Sequence, residues 1–490
     1  MSSSHKQYTI LFFDDWHLAR RDHVQRHIGQ PELVGRFTDP YLDTSFGYPT
    51  VFIDQSTGNW RCLYQGFLYD QYINSDDVVT TGNKLRYRSI PAIIESKDGI
   101  HWEIPDLTKL NFKEERRIPH QVLPLQQFRE WGPAFYDQRA DNPEERIKAF
   151  VSFGKDQLDP IAPLWVSSDG ITWKQPDGAT WHPVGIDPAV TAYWNHVRQS
   201  YCIAARPGWG DRRIAVYETR DWKEYSIPEL AMQADALDTP MAEIYGMPVF
   251  EYEDIFVGFI WLFHPDRSLI SRPGKGYLGK NDSQLSYSMN GWHFQRTLRD
   301  PFIGNSRSGE HSSSVIYPSS LVRNGDILRI CSSSAMFEHG QGQGTPDNPQ
   351  SELLFHELRL DGFVYLSSEG GWGSIVTRPL FTDGNELMIN VEAPYGIVKI
   401  QIMDEFGDPI DGFSYEECIP MTGDQVRWVP VWQKELNFGA IQNRFIRIGI
   451  QMLNAKLYSI RGNFYPTGGL DLGIFQKQGT KPPPNSLYWK

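Results

Sequence analysis

Five acidic residues stand just before apolar, strand-like segments, and they are the strongest candidates for catalysis in this chain of 490 residues. They are Asp43, Glu130, Asp187, Glu243 and Glu310. Two carboxylates around one pocket can cleave a glycosidic bond, one as general acid and the other as nucleophile or as base for water. A third can hold the acid in place and raise its pKa. The sequence favours Glu243 and Glu310 as the acid/base and nucleophile pair, with Asp187 as modulator and Asp43 and Glu130 next.

Aromatic and cationic residues accompany these acids and are the candidates for substrate binding. Sugar rings present apolar faces that stack on aromatic side chains, while Arg and His bond the hydroxyl groups. The candidates are Trp131, Trp194, His196, Arg198, Tyr245, Arg307 and His311. In a competing interpretation, the acids are only turn residues, Trp194 packs in the core between neighbouring sheets, and the histidines have structural roles.

A turn signature that recurs four times indicates the elements that position these residues. Full copies lie at residues 96–102 (Ser-Lys-Asp-Gly-Ile-His-Trp) and 167–173, and degenerate copies lie at 219–222 and 288–294. Asp-Gly or Asn-Gly supplies the positive φ of a tight hairpin, and the following aromatic is expected to pack between neighbouring sheets. Copies about 50 to 70 residues apart predict one four-stranded sheet per unit, as in a β-propeller with a central funnel.

Five candidate inner strands, one for each blade, are expected to line this funnel. They lie at residues 48–53, 132–136, 189–194, 246–250 and 314–318. Because the loops that lead into inner strands reach the mouth of a propeller, the five acids are expected to converge there. The apolar segment 8–13 is left over, and it is expected to close the ring by pairing with the last blade.

The pattern changes after residue 357, where alternating apolar and polar residues replace the turn signature. Leu387, Ile389 and Val391 are one example of this period-2 pattern, which predicts an antiparallel β-sandwich. The last residues have no periodicity and are predicted to form an extended arm. The predicted fold is therefore all-β, with a five-bladed propeller over residues 1–357, a sandwich over 358–462 and a tail over 463–490.

Composition and charge exclude several classes of function. The chain has 47 Lys and Arg against 60 Asp and Glu, and its formal net charge of −13 argues against a nucleic-acid partner. It has no apolar stretch of about 18 residues, so no membrane partner is expected. The polar start predicts a cytoplasmic protein, or a secreted one whose leader has been removed. The four scattered cysteines are expected to be buried free thiols, and the sequence predicts neither a metal nor a cofactor.

Three further motifs resemble those of a large set of uncharacterised bacterial proteins: Phe13-Asp14-Asp15, residues 245–250 and residues 358–363. A five-bladed propeller followed by a β-sandwich is similar to furanosidase-type glycoside hydrolases, namely the invertase and levanase family 32 and the arabinanase and xylosidase family 43. The resemblance implies a glycoside hydrolase or transglycosylase that acts on a furanoside-containing glycan in the funnel. Those families carry Asp directly before the proline of the first inner strand, where this chain has Tyr48.

Two alternatives stay open at this point. One is a propeller that binds glycans without cleaving them, since a fold does not fix a function. The other is a sugar phosphorylase or a structural scaffold, and a phosphorylase would need cations such as Arg198 and Arg307 near the acids to hold phosphate. Carbohydrate is the expected partner, and a tail ending in Leu487-Tyr488-Trp489 could reach a neighbouring subunit of a homo-oligomer.

Overall fold

The computed structural model describes residues 7–44, 47–69, 79–80, 86–110, 117–123, 128–153, 162–177, 180–181, 190–265, 278–339, 349–433 and 436–484. These residues are mostly in β-strands, so the predicted all-β class is confirmed. Helical structure in these ranges consists of the 3-10 helices Pro143–Glu145 and Phe438–Ile441 and one α-helix, α1 (Gly469–Gln478).

The strands are numbered in chain order. The first third of the chain contains β1 (Tyr8–Leu11), β2 (Leu18–Asp22), β3 (Gln25–Ile28), β4 (Glu32–Phe37), β5 (Thr50–Ile53), β6 (Trp60–Tyr69), β7 (Val79–Thr80), β8 (Arg86–Ser96), β9 (Trp102–Glu103), β10 (Phe128–Trp131), β11 (Phe135–Tyr136) and β12 (Ile147–Phe153). The middle contains β13 (Ala162–Ser167), β14 (Thr180–Trp181), β15 (Thr191–Asn195), β16 (Ser200–Ala205), β17 (Ile214–Thr219), β18 (Glu229–Met232), β19 (Glu243–Gly246), β20 (Val249–Tyr252), β21 (Ile255–Pro265), β22 (Gly279–Ser288) and β23 (Gln295–Arg296). The remainder contains β24 (Val315–Asn324), β25 (Ile327–Ala335), β26 (Ser351–Arg359), β27 (Val364–Thr377), β28 (Leu380–Met403), β29 (Met421–Trp428) and β30 (Phe445–Pro466).

The chain forms two compact units, residues 31–358 and residues 1–30 together with 359–490. The first 30 residues thus belong to the same unit as residues 359–490. β1 pairs with β30, where Tyr8 faces Gly462, so the predicted pairing of residues 8–13 with the last blade is wrong. The side chains of Tyr8 and Ile10 are both buried in the apolar core of that unit. β4 is the early strand that pairs with β26.

The described residues of the unit 31–358 form four hydrogen-bonded sheets, with further short strands paired beside them. Three have the strand orders β5-β6-β8-β7, β10-β12-β13-β14 and β15-β16-β17-β18, and the fourth has the order β19-β21-β22-β24-β25-β26-β4. In the fourth sheet β22 and β24 pair only between Asn281 and Val315, so this sheet consists of two antiparallel halves. This gives five antiparallel groups. Groups 1 to 3 are the first three sheets in the order given, group 4 is the half of the fourth sheet from β19 to β22, and group 5 is the half from β24 to β4.

One cavity of about 470 Å³ is lined by a strand from each of the five groups. These inner strands are β5, β11, β15, β20 and β24, and they coincide with the five inner strands predicted from the sequence. The number of blades and the closure of the ring stay predictions.

Hydroxyl side chains join inner strands that no backbone ladder connects. Thr50 Oγ1 accepts from the N–H of Ala134 at 2.8 Å and donates to its carbonyl at 3.2 Å. Ser320 Oγ bonds the N–H and carbonyl of Val51 in the same way, at 2.8 and 3.3 Å. These bonds link group 1 to groups 2 and 5 and satisfy buried backbone groups at the strand edges.

All four copies of the turn signature form the same hydrogen bonds. In the first, Ser96 Oγ accepts from the N–H of Gly99, and Asp98 Oδ1 accepts from the N–H groups of Ile100 and His101. The equivalent bonds recur at Ser167 and Asp169, Thr219 and Asp221, and Ser288 and Asn290. The side-chain bond with His101, followed by these backbone bonds, lowers the pKa of the Asp98 carboxyl.

The aromatic residues after these turns pack where the pattern predicts. Trp102 of group 1 stacks on Phe355 of group 5, with ring centroids 4.7 Å apart and 20° between the rings. Trp222 of group 3 lies against Phe135 and Phe150 of group 2 at 6.2 Å from each. The repeat therefore fixes the spacing of neighbouring groups as well as the turns themselves.

The other unit is one seven-stranded sheet with the order β2-β27-β30-β28-β29, to which β1 adds on β30 and β3 on β27. The period-2 residues Leu387, Ile389 and Val391 are at most 1% exposed and lie in its core, as the alternation indicates. The division into the two layers of a sandwich stays a prediction.

The C-terminal segment departs from the extended arm predicted for residues 463–490. β30 continues to Pro466, and α1 follows, capped by the Asp471 carboxylate on the N–H of Gly468 at 3.0 Å. Phe475 of α1 contacts the rings of Phe381 and Phe445 at 5.5 and 5.1 Å, which anchors the helix. Residues 485–490, which include the aromatic end suggested for a subunit contact, lie outside the described residues.

The four cysteines, Cys62, Cys202, Cys331 and Cys418, are buried and free, so this prediction is confirmed. In the described part of the chain, no helix is both long and apolar enough to cross a membrane.

Gly99→Ala should destabilise the protein more than Gly58→Ala, although both glycines have φ of +73°. The backbone strain of an L-residue at this φ is about 1 kcal/mol in each variant. A Cβ at Gly99 would also lie 2.9 Å from Trp60 Cδ2, whereas one at Gly58 meets nothing within 4 Å. We expect a further loss of about 1–3 kcal/mol for Gly99→Ala, measured by urea unfolding. Equal losses in the two variants would show that the turn does not pack tightly on Trp60.

Candidate functional site

Stacked aromatic rings occupy the N-terminal ends of three inner-strand segments. Tyr48 stacks on Trp261 at 5.1 Å and 9°, and Tyr245 stacks on Tyr317 at 5.1 Å and 13°. The Tyr48 hydroxyl donates to that of Tyr245 at 3.4 Å. These four residues, at most 5% exposed, are called the tyrosine cluster below. Tyr48, which stands where the resembling families carry Asp, is therefore a buried packing residue that joins groups 1, 4 and 5.

Polar and cationic side chains surround Tyr245. The Cζ atoms of Arg206 and Arg212 lie 4.6 and 5.5 Å from its ring centroid, within the range of cation–π attraction. His339 Nε2 lies 3.1 Å from its hydroxyl. Arg212 Nη1 donates to Glu243 Oε2 at 2.5 Å. Arg206, Arg212, Glu243, Tyr245 and His339 form the Glu243 cluster.

Local strand geometry explains this arrangement. Glu243 and Tyr245 alternate along β19 with Ile244, which is buried in the apolar core between groups 3 and 4. The pairing of β19 with β21 has a bulge between Ile244 and Gly246, and a bulge changes the direction of nearby side chains. The N–H of Ile244 donates to the carbonyl of Arg212 at 3.0 Å, which holds the β16–β17 loop beside β19.

The Glu243 cluster has the groups that a glycan site requires. The Glu243 side chain is 27% exposed, so a substrate can reach it, and it forms an ion pair with Arg212. Such a carboxylate can attack an anomeric carbon or accept a proton from water. Aromatic faces and guanidinium groups beside it can stack on a sugar ring and bond its hydroxyls.

Asp43 and Glu310, two of the predicted acids, lie in other surroundings. Asp43 is fully buried, and its N–H donates to the carbonyl of Phe67 at 3.0 Å, so a substrate cannot reach its side chain. Glu310 is exposed in a turn, where its Oε2 accepts from the N–H of Arg307 at 3.2 Å. Within the ranges that the structure describes, no hydrogen bond or ion pair joins Glu310 to Glu243.

The remaining predicted residues are dispersed. Arg198 packs over Trp292 at 4.0 Å and pairs with Glu218 at 3.1 Å, and His311 Nδ1 lies 3.8 Å from Glu352 Oε1. Trp194 lines the cavity, and His196 bonds Glu251 at its rim. Asp187 lies outside the described residues, as do the side chains of Glu130 and Trp131 on β10. Of the predicted residues, the structure thus brings Glu243 and Tyr245 together.

Arg206, Arg212 and His339 were missed by sequence reasoning. The two arginines lie in the β16–β17 loop, which connects the second and third strands of group 3. In a propeller such loops lie at the same end as the starts of the inner strands, so two arginines there were a usable signal. His339 follows β25 with no local pattern that marks it. No set of three or more His, Cys, Asp or Glu within the described ranges is arranged to hold a metal.

No family model matches the chain, and no curated protein matches it. Among solved structures it is similar to an N-acetylgalactosamine deacetylase from F. plautii in complex with blood group B trisaccharide (TM-score 0.43, 14% identity, 70% of this chain and 97% of that one). It is also similar to β-1,2-mannobiose phosphorylase from Listeria innocua (TM-score 0.41, 12% identity, 72% of this chain and 97% of that one). A third similar structure is a thermostable family-43 glycoside hydrolase (TM-score 0.40, 12% identity, 64% of this chain and 89% of that one). TM-scores of 0.43 or less do not by themselves establish the fold or the activity of this chain.

The ion pair of Arg212 and Glu243 should contribute measurably to stability. In a double-mutant cycle with Arg212→Ala and Glu243→Gln, we expect a coupling free energy of about 1 kcal/mol, because these side chains are only 13% and 27% exposed. The control cycle is Arg198→Ala with Glu218→Gln, in which the arginine is 42% exposed and the coupling should be below about 0.5 kcal/mol. Urea unfolding measures both, and a larger coupling in the control pair would contradict the structure.

Proposed function

We propose that the chain is a glycan-active enzyme, a glycoside hydrolase or transglycosylase that acts at the N-terminal ends of the inner strands. The observation that carries the proposal is the Glu243 carboxylate, held by Arg212 at 2.5 Å beside the Tyr245 ring. We further propose that the five antiparallel groups are five blades, that residues 358–462 belong to a β-sandwich and that the substrate contains a furanoside. The proposed substrate preference rests on the resemblance to families 32 and 43.

In this proposal Glu243 acts as the nucleophile or as the base for water. Both roles require a carboxylate oxygen that a substrate can reach, and the Glu243 side chain is 27% exposed. The proton for the leaving group then comes from another acid at the mouth, and Glu130, Asp187 and Glu310 remain the candidates. Asp43 has no place in the reaction, because it is fully buried.

A phosphate-dependent reaction is the second candidate, because two guanidinium groups lie over the Tyr245 ring in the Glu243 cluster. Of the cations predicted for such a site, Arg198 donates from its guanidinium to Glu218, and Arg307 is exposed in a turn where its backbone N–H donates to Glu310. Arg206 and Arg212 lie beside Tyr245 and supply the cationic surroundings that a phosphate would need. Turnover that requires added inorganic phosphate and releases a sugar phosphate would favour this phosphorylase over the hydrolase.

The first experiment is a screen of the purified protein against aryl glycosides and against fructan, arabinan and related oligosaccharides, measured by released sugar. Turnover of a furanoside supports the proposed reaction and substrate class together. Turnover of a pyranoside alone supports the reaction and removes the furanoside preference. Binding of a glycan without any product would instead support a non-catalytic binding protein.

Glu243→Gln should abolish turnover of any substrate that the screen identifies. We expect kcat/KM to fall by about 10²–10⁴-fold, because the amide neither attacks carbon nor accepts a proton. The control is Glu218→Gln, which removes a carboxylate from a similar arginine ion pair away from the cluster and should leave kcat/KM within about twofold. Activity retained in Glu243→Gln would remove this residue from the reaction and leave the other acids as candidates.

A further inference from the structure

We infer that the cavity lined by the five inner strands is a second sugar-binding site, separate from the Glu243 cluster, for one or two neutral sugar units. The cavity begins immediately after the tyrosine cluster along the same strands: Thr50 follows Tyr48 and Pro49, and Ser319 follows Tyr317 and Pro318. It ends near Arg139, which follows β11, and Glu251, which lies near the end of β20. Its volume of about 470 Å³ lies within the range of small-ligand sites.

The inner part of the cavity is rigid and largely apolar. Phe52 and Tyr136 stack on one side with ring centroids 5.2 Å apart, and the hydroxyls of Thr50 and Ser320 are already bonded to the backbone of neighbouring strands. A ligand therefore meets a preformed shape, which reduces the entropy that binding must overcome. The hydrogen-bonding groups available to it lie nearer the rim.

The rim combines an aromatic face with an ion pair. Arg139 bonds Glu251 through both terminal nitrogens, at 3.1 and 3.5 Å, and its Cζ lies 5.5 Å from the centroid of Trp194. His196 Nδ1 lies 3.1 Å from Glu251 Oε1, and its ring stacks on Phe256 at 4.9 Å and 11°. A partly exposed indole beside charged hydrogen-bonding groups is the arrangement that binds the face and the hydroxyls of one sugar ring.

Buried polar residues hold this rim in place. Asp137 is 1% exposed and accepts from Lys148 Nζ and from the Tyr201 hydroxyl, both at 2.8 Å, and from the N–H of Arg139 at 3.0 Å. Burial, together with the bond to Asp137, raises the pKa of the Tyr201 hydroxyl, so it remains a donor. The Tyr201 ring meets Trp194 edge-on at 5.0 Å and 73°. Asp137 thus positions both the arginine and, through Tyr201, the indole.

Charge pairing at the rim favours a neutral ligand. Arg139 is paired with Glu251, and Arg323 is paired with Glu253 at 2.7 Å, so an anion or a cation would have to compete with an existing partner. Sugar hydroxyls can donate to Glu251 and accept from Arg139 while that pair stays formed. The carboxylates of the cavity, Asp137 and Glu251, both accept from cationic donors, and neither is arranged to protonate a leaving group. The site therefore binds a sugar without cleaving it.

This inference does not depend on the proposed hydrolase, and the test uses the full chain carrying Glu243→Gln so that binding is measured without turnover. The probes are galactose, mannose, arabinose, fructose, lactose and sucrose, titrated by calorimetry. We expect at least one to bind. Adding Trp194→Ala should weaken that binding by about tenfold or more, as expected for a central tryptophan. Adding Trp372→Ala, which removes an exposed tryptophan of the other unit, should leave it unchanged.

Arg139→Gln is the second test variant, because the Arg139 side chain is half exposed and its removal should not prevent folding. It should also weaken binding by about tenfold, as expected for a charge-assisted contact, and it decides the question if Trp194→Ala does not fold. The inference is overturned if no probe binds, or if binding survives unchanged in both variants. Tighter binding of glucuronate or glucosamine than of the neutral sugars would overturn the proposed ligand class. Failure of the hydrolase would show as absent turnover in the unmodified protein, whichever way these titrations fall.

Discussion

Side-chain hydroxyl groups carry the contacts between inner strands, and the cavity depends on them. Inner strands of different groups are not joined by a backbone ladder, so their edges would leave buried N–H and carbonyl groups without partners. Each such group would destabilise the fold by about 1–3 kcal/mol. The Thr50 hydroxyl bonds the N–H and the carbonyl of Ala134, and the Ser320 hydroxyl bonds those of Val51. These bonds give the buried backbone groups partners, so the loss of stability is avoided. A hydroxyl that both donates and accepts lets two strands approach without pairing as a sheet.

The elements that local sequence determines were predictable. The turn signature carries its own donors, acceptors and positive-φ residue within four or five positions, so its four copies predict four turns and the spacing of the groups. The five inner strands follow from that spacing. The period-2 pattern of Leu387, Ile389 and Val391 likewise predicts a strand with one buried face.

Elements that depend on distant partners were not predictable in the same way. An apolar segment such as Tyr8–Leu11 pairs equally well with any free edge, and nothing within it selects β30 rather than a strand of the last group. The helix α1 is held by Phe475 against rings that are far away in sequence, on β28 and β30. The first and last parts of the chain are therefore where the predicted division differs from the observed one.

The candidate site was predictable in part, for a similar reason. Placing an acid before each inner strand draws attention to Glu243, which begins β19 of group 4, but the rule ignores which side chains pack around it. Here Tyr245 stacks on Tyr317, and the arginines that accompany Glu243 come from a loop of another group. Position along a strand indicates which end a residue occupies, whereas its partners depend on how the groups pack.

The pairing of β1 with β30 has a consequence for synthesis of the protein. Residues 31–358 form one compact unit and leave the ribosome complete, between the two parts of the other unit. At about 5–20 residues per second, the first thirty residues wait roughly 20–90 seconds before β27 to β30 have all been synthesised and can pair with them. During that time β1, whose four residues are all buried in the finished protein, is an apolar strand with two open edges. Because the partner strand β30 is synthesised late, the protection of β1 from aggregation during this interval depends on the speed of translation and on chaperones.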